Sequence, residues 1–316
     1  MAPSEPYVRP DVRMFLDALA AMGGKKSSEV SLEEARQAYM ALHGMGDAPA
    51  RELAVIRDIS CPGPGGDIPL RVYDKQESRG PGPAIMFFHG GGFVIGDLDT
   101  HHNLCTEIAY QMDLPVVAVH YRRAPEHPFP AAVDDCEAAT RWVASSPEAL
   151  AREVSGIITI GDSAGGNAAI VVTQQLMKHA ADVPIVLQVP IFPLASDAFG
   201  SDSLEDLAEG YILTKETIEW FDSNYAPVRD DPRAMPILSK HEGTPPTIVV
   251  TASLDPIRDS GRDYAAALSK AGVNHAFLEM KGATHCFTNL RQAIPSYQQD
   301  LEQVFAAMKL MLESPA

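Results

Sequence analysis

A serine between two glycines marks the stretch with the clearest capacity for chemistry. Gly161-Asp162-Ser163-Ala164-Gly165 follows the β-branched Ile157, Ile158 and Ile160. It precedes a segment where Ala168, Val171, Val172, Gln175 and Leu176 recur at helical spacing. A bare G-x-S-x-G also arises as a solvated small-residue turn. With a strand before it and a helix after it, the motif instead predicts a sharp strand-to-helix turn that presents Ser163 as a nucleophile. Such a turn sets the hydroxyl near a helix N-terminus, where developing negative charge is favoured.

A serine nucleophile needs a base. Of the ten histidines, His43, His101, His102, His179 and His241 fall in helices or polar loops, where solvated or structural roles are the norm. His285 lies in the short G-A-T-H-C-F loop after the last predicted strand, at the sheet edge where the serine also emerges. The acid should stand between the two in chain order. Asp255, in S-L-D-P-I-R-D directly after a predicted strand, fits that place better than Asp259. Asp259 starts the next helix, where capping or support is the expected role. The run His89-Gly90-Gly91-Gly92-Phe93 follows another strand. Its glycines allow backbone amides to face a substrate oxygen, so the expected oxyanion donors are the amides of Gly91, Gly92 and Ala164. His89 is read as a brace for that loop.

These residues need a sheet to hold them. Strand-like runs at 52–60 and 68–74, joined by the turn-rich residues 62–67, predict an antiparallel pair at a sheet edge. From residue 84 the chain alternates strands (84–89, 115–121, 157–160, 184–189, 247–251, 275–280) with helices (101–112, 131–145, from 164, 258–271, 295–312). That alternation predicts a mostly parallel sheet of about eight strands, covered on both faces. Two amphipathic helices, 10–22 and 31–43, precede the first strand; Ser31 and Glu34 make a capping box. Residues 195–240 interrupt the rhythm with polar sequence and one helix at 214–225. An insertion of that length is read as part of a lid.

Composition narrows the function classes. The chain has 316 residues, 46% hydrophobic and 21% charged, which suits one soluble globular domain with an appendage. Its 42 acidic against 25 basic residues give a net charge of −17, which repels nucleic acid and anionic lipid. Four scattered cysteines without a C-x-x-C pair suit reduced thiols and a cytoplasmic location. No secretory leader is read at the N-terminus, and no apolar run is long enough to span a bilayer. No cluster has zinc-ligand spacing and no P-loop is present, so no metal or cofactor is expected.

The motifs together resemble the hormone-sensitive-lipase-like group of α/β-hydrolases. The likeness rests on H-G-G-G-F at 89–93, Y-R-R-A-P-E-H-P-F-P-A-A-V-D-D at 121–135 and G-D-S-A-G-G-N at 161–167, then L-D-P-I-R-D at 254–259 and H-C-F at 285–287. G-Y-I-L-T at 210–214 and Trp220-Phe221 add to it. The resemblance covers about residues 50–310 and implies the α/β-hydrolase fold with a helical cap. It implies a catalytic domain of 46–194 and 241–316, with residues 1–45 and 195–240 forming the cap. It implies the triad Ser163, Asp255 and His285, and a stretch 122–129 that buttresses the oxyanion loop. The expected partner is a small-molecule ester of short or medium acyl chain; a homo-oligomer is compatible with the sequence. Amide or aryl-acylamide hydrolysis would use the same triad. A non-catalytic binding module is a further alternative, as in the plant gibberellin receptors, which resemble the family but lack the triad histidine. Two positions depart from the family pattern: Cys286 where glycine is usual, and His120 where aspartate is frequent.

Overall fold

The computed structural model describes residues 6–313; the first five residues of the N-terminal segment and residues 314–316 lie outside the described residues. Two helices come first, α1 (Pro10–Met22) and α2 (Leu32–Gly46). The Ser31 hydroxyl accepts from the Glu34 amide and the Glu34 carboxylate from the Ser31 amide, so the predicted capping box forms. Then follow β1 (Val55–Gly63), β2 (Gly66–Asp74), β3 (Gly82–Phe88), α3 (His102–Met112), β4 (Val116–Val119) and α4 (Ala131–Ala144). The chain continues through β5 (Val154–Asp162), α5 (Ala164–Lys178), β6 (Ile185–Ile191), the short α6 (Asp202–Asp206) and α7 (Lys215–Tyr225). It closes with β7 (Thr247–Leu254), α8 (Arg258–Lys270), β8 (His275–Thr284) and α9 (Ser296–Glu313).

The strands form one sheet in the order β1-β2-β4-β3-β5-β6-β7-β8. The β1/β2 and β2/β4 pairs are antiparallel and the rest parallel. This is the mostly parallel eight-stranded sheet that the alternation predicts, and the α/β-hydrolase architecture that the resemblance implies. One turn is tighter than expected: Pro62 pairs with Asp67 and Gly63 with Gly66, leaving residues 64–65 as the bend. Proline is tolerated there because β1 is the outer strand, with one edge unpaired.

Alternation along buried strands makes two cores. Ile85 and Phe87 pack with α3, α9 and Val12 and Leu16 of α1 on one face. Ala84, Met86 and Phe88 pack with α4 and α5 on the other. A sheet buried on both faces needs the near-continuous apolar strands this sequence carries. The parallel strands β3, β5, β7 and β8 end on one edge, and the loops that leave that edge hold the residues with chemistry. No helix among the described residues is long and apolar enough to cross a membrane.

Candidate active site

β5 ends at Asp162 and α5 begins at Ala164, so Ser163 alone makes the turn, at φ 57° and ψ −117°. A non-glycine residue held there costs on the order of 1–3 kcal/mol, which the packing on either side must offset. The packing is close: a Cβ at Gly161 would run into the Gly165 carbonyl, and one at Gly165 into the Phe88 carbonyl. The Ser163 amide donates to the Ile191 carbonyl of β6 at 2.9 Å, which fixes the turn to the neighbouring strand.

Asp255 follows β7 directly and is fully buried. Its Oδ1 accepts from the Ile257 amide at 2.9 Å, and its Oδ2 lies 2.7 Å from Nδ1 of His285. His285 follows β8, is nearly buried, and packs its ring 4.5 Å from that of Phe192. Ser163 and His285 line one cavity. The structure thus brings Asp255 and His285 into contact and sets His285 and Ser163 on a common wall. Asp259 does something else. Its Oδ2 accepts from the Ser203 amide at the start of α6, and its Oδ1 takes Arg258 and Arg262.

The glycine loop runs in the left-handed region, with φ 112° at Gly91, 61° at Gly92 and 61° at Phe93. Side chains have no room: a Cβ at Gly91 meets the Ile95 carbonyl, and one at Gly92 meets the Phe221 ring. Among the described residues no acceptor takes the Gly91 or Gly92 amide, and Gly91, Gly92 and Ala164 all face the space beside Ser163. Five contacts brace the loop. The Gly90 amide donates to Asp162 Oδ1 at 3.0 Å, and the Tyr121 hydroxyl to the His89 carbonyl at 2.7 Å. The Ala124 amide donates to the Phe93 carbonyl, Arg123 to the Gly96 carbonyl and Arg36 to the Val94 carbonyl. His89 Nδ1 lies 2.8 Å from the Gly90 carbonyl, with its ring stacked on Tyr121.

A second aspartate–histidine pair sits beneath. His101 Nε2 lies 3.3 Å from Asp162, while its Nδ1 is 2.8 Å from the Thr100 hydroxyl. Burial works against the Asp162 carboxylate, but the surrounding histidines, His101 foremost, together hold Asp162 below the usual range. Burial pushes His89 well down, and burial with His101 alongside lowers His43 to about 3. Sequence reasoning did not single out Asp162, His101 or Arg36 as supports. The one available signal was that Asp162 directly precedes the serine.

Two clefts meet at Ser163. The first encloses about 670 Å³ out to its opening and is walled by Leu194, Ile218, Tyr225, Met235 and Ile257, with Gly92 and Ala164 at its inner end. The second spans about 1220 Å³, open solvent at its mouth included, and runs between α2 and the 195–240 segment, with His285 and Cys286 on its wall. Phe221 and Leu213 belong to both walls. Tyr211 and Ile212 pack on the core that includes α3 and α9, and Trp220 packs on the α4–α5 side. Cys286 sits at φ 64°, a conformation that favours glycine, and burial pushes its thiol well up. His120 continues the β2 pairing through its amide, and nothing in the structure explains its side chain. Among the described residues no group of three His, Cys, Asp or Glu side chains is placed to hold a metal ion.

A family profile described as an alpha/beta hydrolase fold matches residues 85–289. The ethyl acetate hydrolase of Pseudomonas putida is 32% identical, over 96% of this chain and 98% of that protein. Esterase LipI of Mycobacterium tuberculosis is 33% identical over 98% of this chain and 97% of its own length. Among solved structures, the ester-hydrolase EH1AB1 from the metagenome of Lake Arreo, complexed with a derivative of bipyridine phosphonate, superposes with TM-score 0.89. It is 32% identical over 98% of this chain and all of that one. A thermostable esterase from Pseudomonas putida ECU1011 superposes with TM-score 0.90 at 28% identity, over 99% of this chain and 100% of that one. With likeness of this extent running through both sequence and fold, the chain belongs to the α/β-hydrolase family, in its hormone-sensitive-lipase-like group of carboxylic ester hydrolases.

Proposed function

We propose that the chain hydrolyses short- to medium-chain acyl esters through an acyl-enzyme on Ser163, with His285 as base and Asp255 as its orienting acid. The observation that carries this reading is the 2.7 Å contact between buried Asp255 and His285 Nδ1, with His285 sharing a cavity wall with the strained Ser163. With Nδ1–H donating to Asp255, Nε2 is free to take the Ser163 proton as Oγ attacks the ester carbonyl. The carbonyl oxygen becomes an oxyanion held by the amides of Gly91, Gly92 and Ala164, each worth about 3 kcal/mol where such a donor has been removed. His285 then returns the proton to the leaving alkoxide as the carbon–oxygen bond breaks. Water repeats the sequence on the acyl-enzyme, with its proton passing through His285, and frees the acid and Ser163.

The leaving oxygen must depart on the side of His285, so the 1220 Å³ cleft receives the alcohol and the 670 Å³ cleft the acyl chain. The smaller volume of the acyl cleft supports a short or medium chain. Residues 1–45 and 195–240 act as the cap in this reading. The latter carries Asp197, Asp202, Glu205, Asp206 and Glu209, a poor surface for docking lipid.

The test is a series of p-nitrophenyl acyl esters, with a p-nitroanilide alongside, on the wild type and Ser163→Ala. Wild-type rates should peak at short or medium chains, and the variant should lose orders of magnitude in turnover while keeping its circular dichroism. Turnover retained by a folded variant would overturn the role of Ser163. A maximum at long emulsified chains would overturn the acyl-length reading, and faster anilide cleavage would replace ester with amide hydrolysis.

A further inference from the structure

The alcohol cleft is walled largely by apolar groups, Val30, Leu42, Ile95 and Phe221 among them. Polar side chains line it too, Lys25, Ser27, Glu34 and Thr217 among them, and so does one phenol. Tyr39, on α2, lines the cleft together with Ser163, His285 and Cys286, with its ring held 4.0 Å from that of His43. Among the described residues its hydroxyl has no hydrogen-bond partner. It is not sealed off, as the unpaired Tyr225 hydroxyl and His43 Nε2 are, so it keeps access to the cleft.

A hydroxyl that faces a cleft and has no protein partner is satisfied by water or by ligand. An alcohol portion that fills the cleft displaces that water. If it is purely alkyl it leaves the phenol unpaired; if it carries an acceptor oxygen it replaces the lost bond. Burial pushes the phenol well above its usual range, with the nearby Cys286 and Asp162 acting in the same direction. Tyr39 therefore remains a donor at all working pH values.

We infer that Tyr39 is a specificity-determining residue, donating a hydrogen bond to an oxygen in the alcohol portion, so that the preferred substrates are esters of oxygenated alcohols such as alkoxyalkanols and diols rather than simple alkanols. The inference rests on the reading of Ser163 as nucleophile and His285 as the group that protonates the leaving alcohol. It goes further in naming which side of the substrate is read, and by which atom.

The experiment compares kcat/KM for n-heptyl acetate with that for its isosteres butoxyethyl acetate and ethoxybutyl acetate, in the wild type and in Tyr39→Phe. The phenylalanine keeps the ring and its packing on His43. In the wild type at least one ether ester should be preferred over the heptyl ester, and Tyr39→Phe should reduce that preference about fivefold, the effect of one net hydrogen bond. An unchanged ether-to-alkyl ratio, or an equal loss on all three esters, would overturn the inference, because either outcome assigns Tyr39 to packing alone. Failure of the underlying mechanism is distinguishable, since it would appear as hydrolysis retained by Ser163→Ala.

Discussion

Asp255 and Asp259 stand four residues apart in one loop and helix start, yet their surroundings give them different work. Asp255 is fully buried against His285, whereas Asp259 joins the first turn of α8 to Ser203 and two arginines. Replacing Asp255 by asparagine presents an amide where a carboxylate held the imidazole tautomer. The expected cost is about 10⁴ in kcat, the size of effect known when the acid of a serine triad is so changed. Asp259→Asn keeps an acceptor for the Ser203 amide and loses only partly exposed ion pairs, so it should cost at most about 1 kcal/mol of stability and little turnover. Steady-state kinetics and urea denaturation on the two variants separate these outcomes; the reverse pattern would exchange their roles. The candidate site residues could be named from the sequence because their motifs sit at strand ends, where local pattern and position coincide. Tyr39 could not be found that way. On α2 its spacing marks only an inward face, and the same pattern serves a core residue or a cavity wall.

Elements follow the same division between what is local and what is not. Strand and helix alternation, the capping box of α2 and the hairpin at the sheet edge were legible because each depends on neighbours in sequence. Docking between distant elements was not. Asp11 stands in the first turn of α1, but its carboxylate accepts the Ser296 amide at the start of α9, and Arg9 makes a two-bonded pair with Asp300. A periodic pattern names the apolar face of a helix and not its partner. The 195–240 segment is the sharpest case, since α7 packs on the α4–α5 core and also walls both clefts. Phe221 sits against Gly92, where a glycine Cβ would meet its ring. Phe221→Ala should merge the two clefts beside the nucleophile. The p-nitrophenyl ester profile should then shift toward longer acyl chains by one or more two-carbon steps. A profile identical to the wild type would mean that α7 does not set the acyl limit.

At the scale of the whole molecule, the support beneath the site has a consequence for stability against pH. His43 is buried and neutral, lowered to about 3 by burial and by His101, and His89 is lowered in the same sense. An unfolded histidine titrates near ~6.5. Between about pH 6.5 and 3 these two histidines bind protons in the unfolded chain that they do not bind in the folded one, so their contribution makes stability rise with pH across that window. His43 contributes fully above the unfolded value and loses its contribution as pH falls, by about 2 kcal/mol at pH 5. The lowered carboxylates act further down: Glu126, held at about 2 first by its hydrogen bond to Arg36, loses its contribution only as pH falls below its unfolded value of 4.5, outside the step from pH 7.5 to 5. Relief of repulsion in a chain of net charge −17 acts on every variant alike and cancels in a comparison between variants. Urea denaturation at pH 7.5 and pH 5 should thus show the wild type losing stability on acidification. His43→Gln, whatever its own starting stability, should lose about 2 kcal/mol less over the same step. An equal loss in both proteins would mean that His43 takes up its proton in the folded state and is not a neutral packing group.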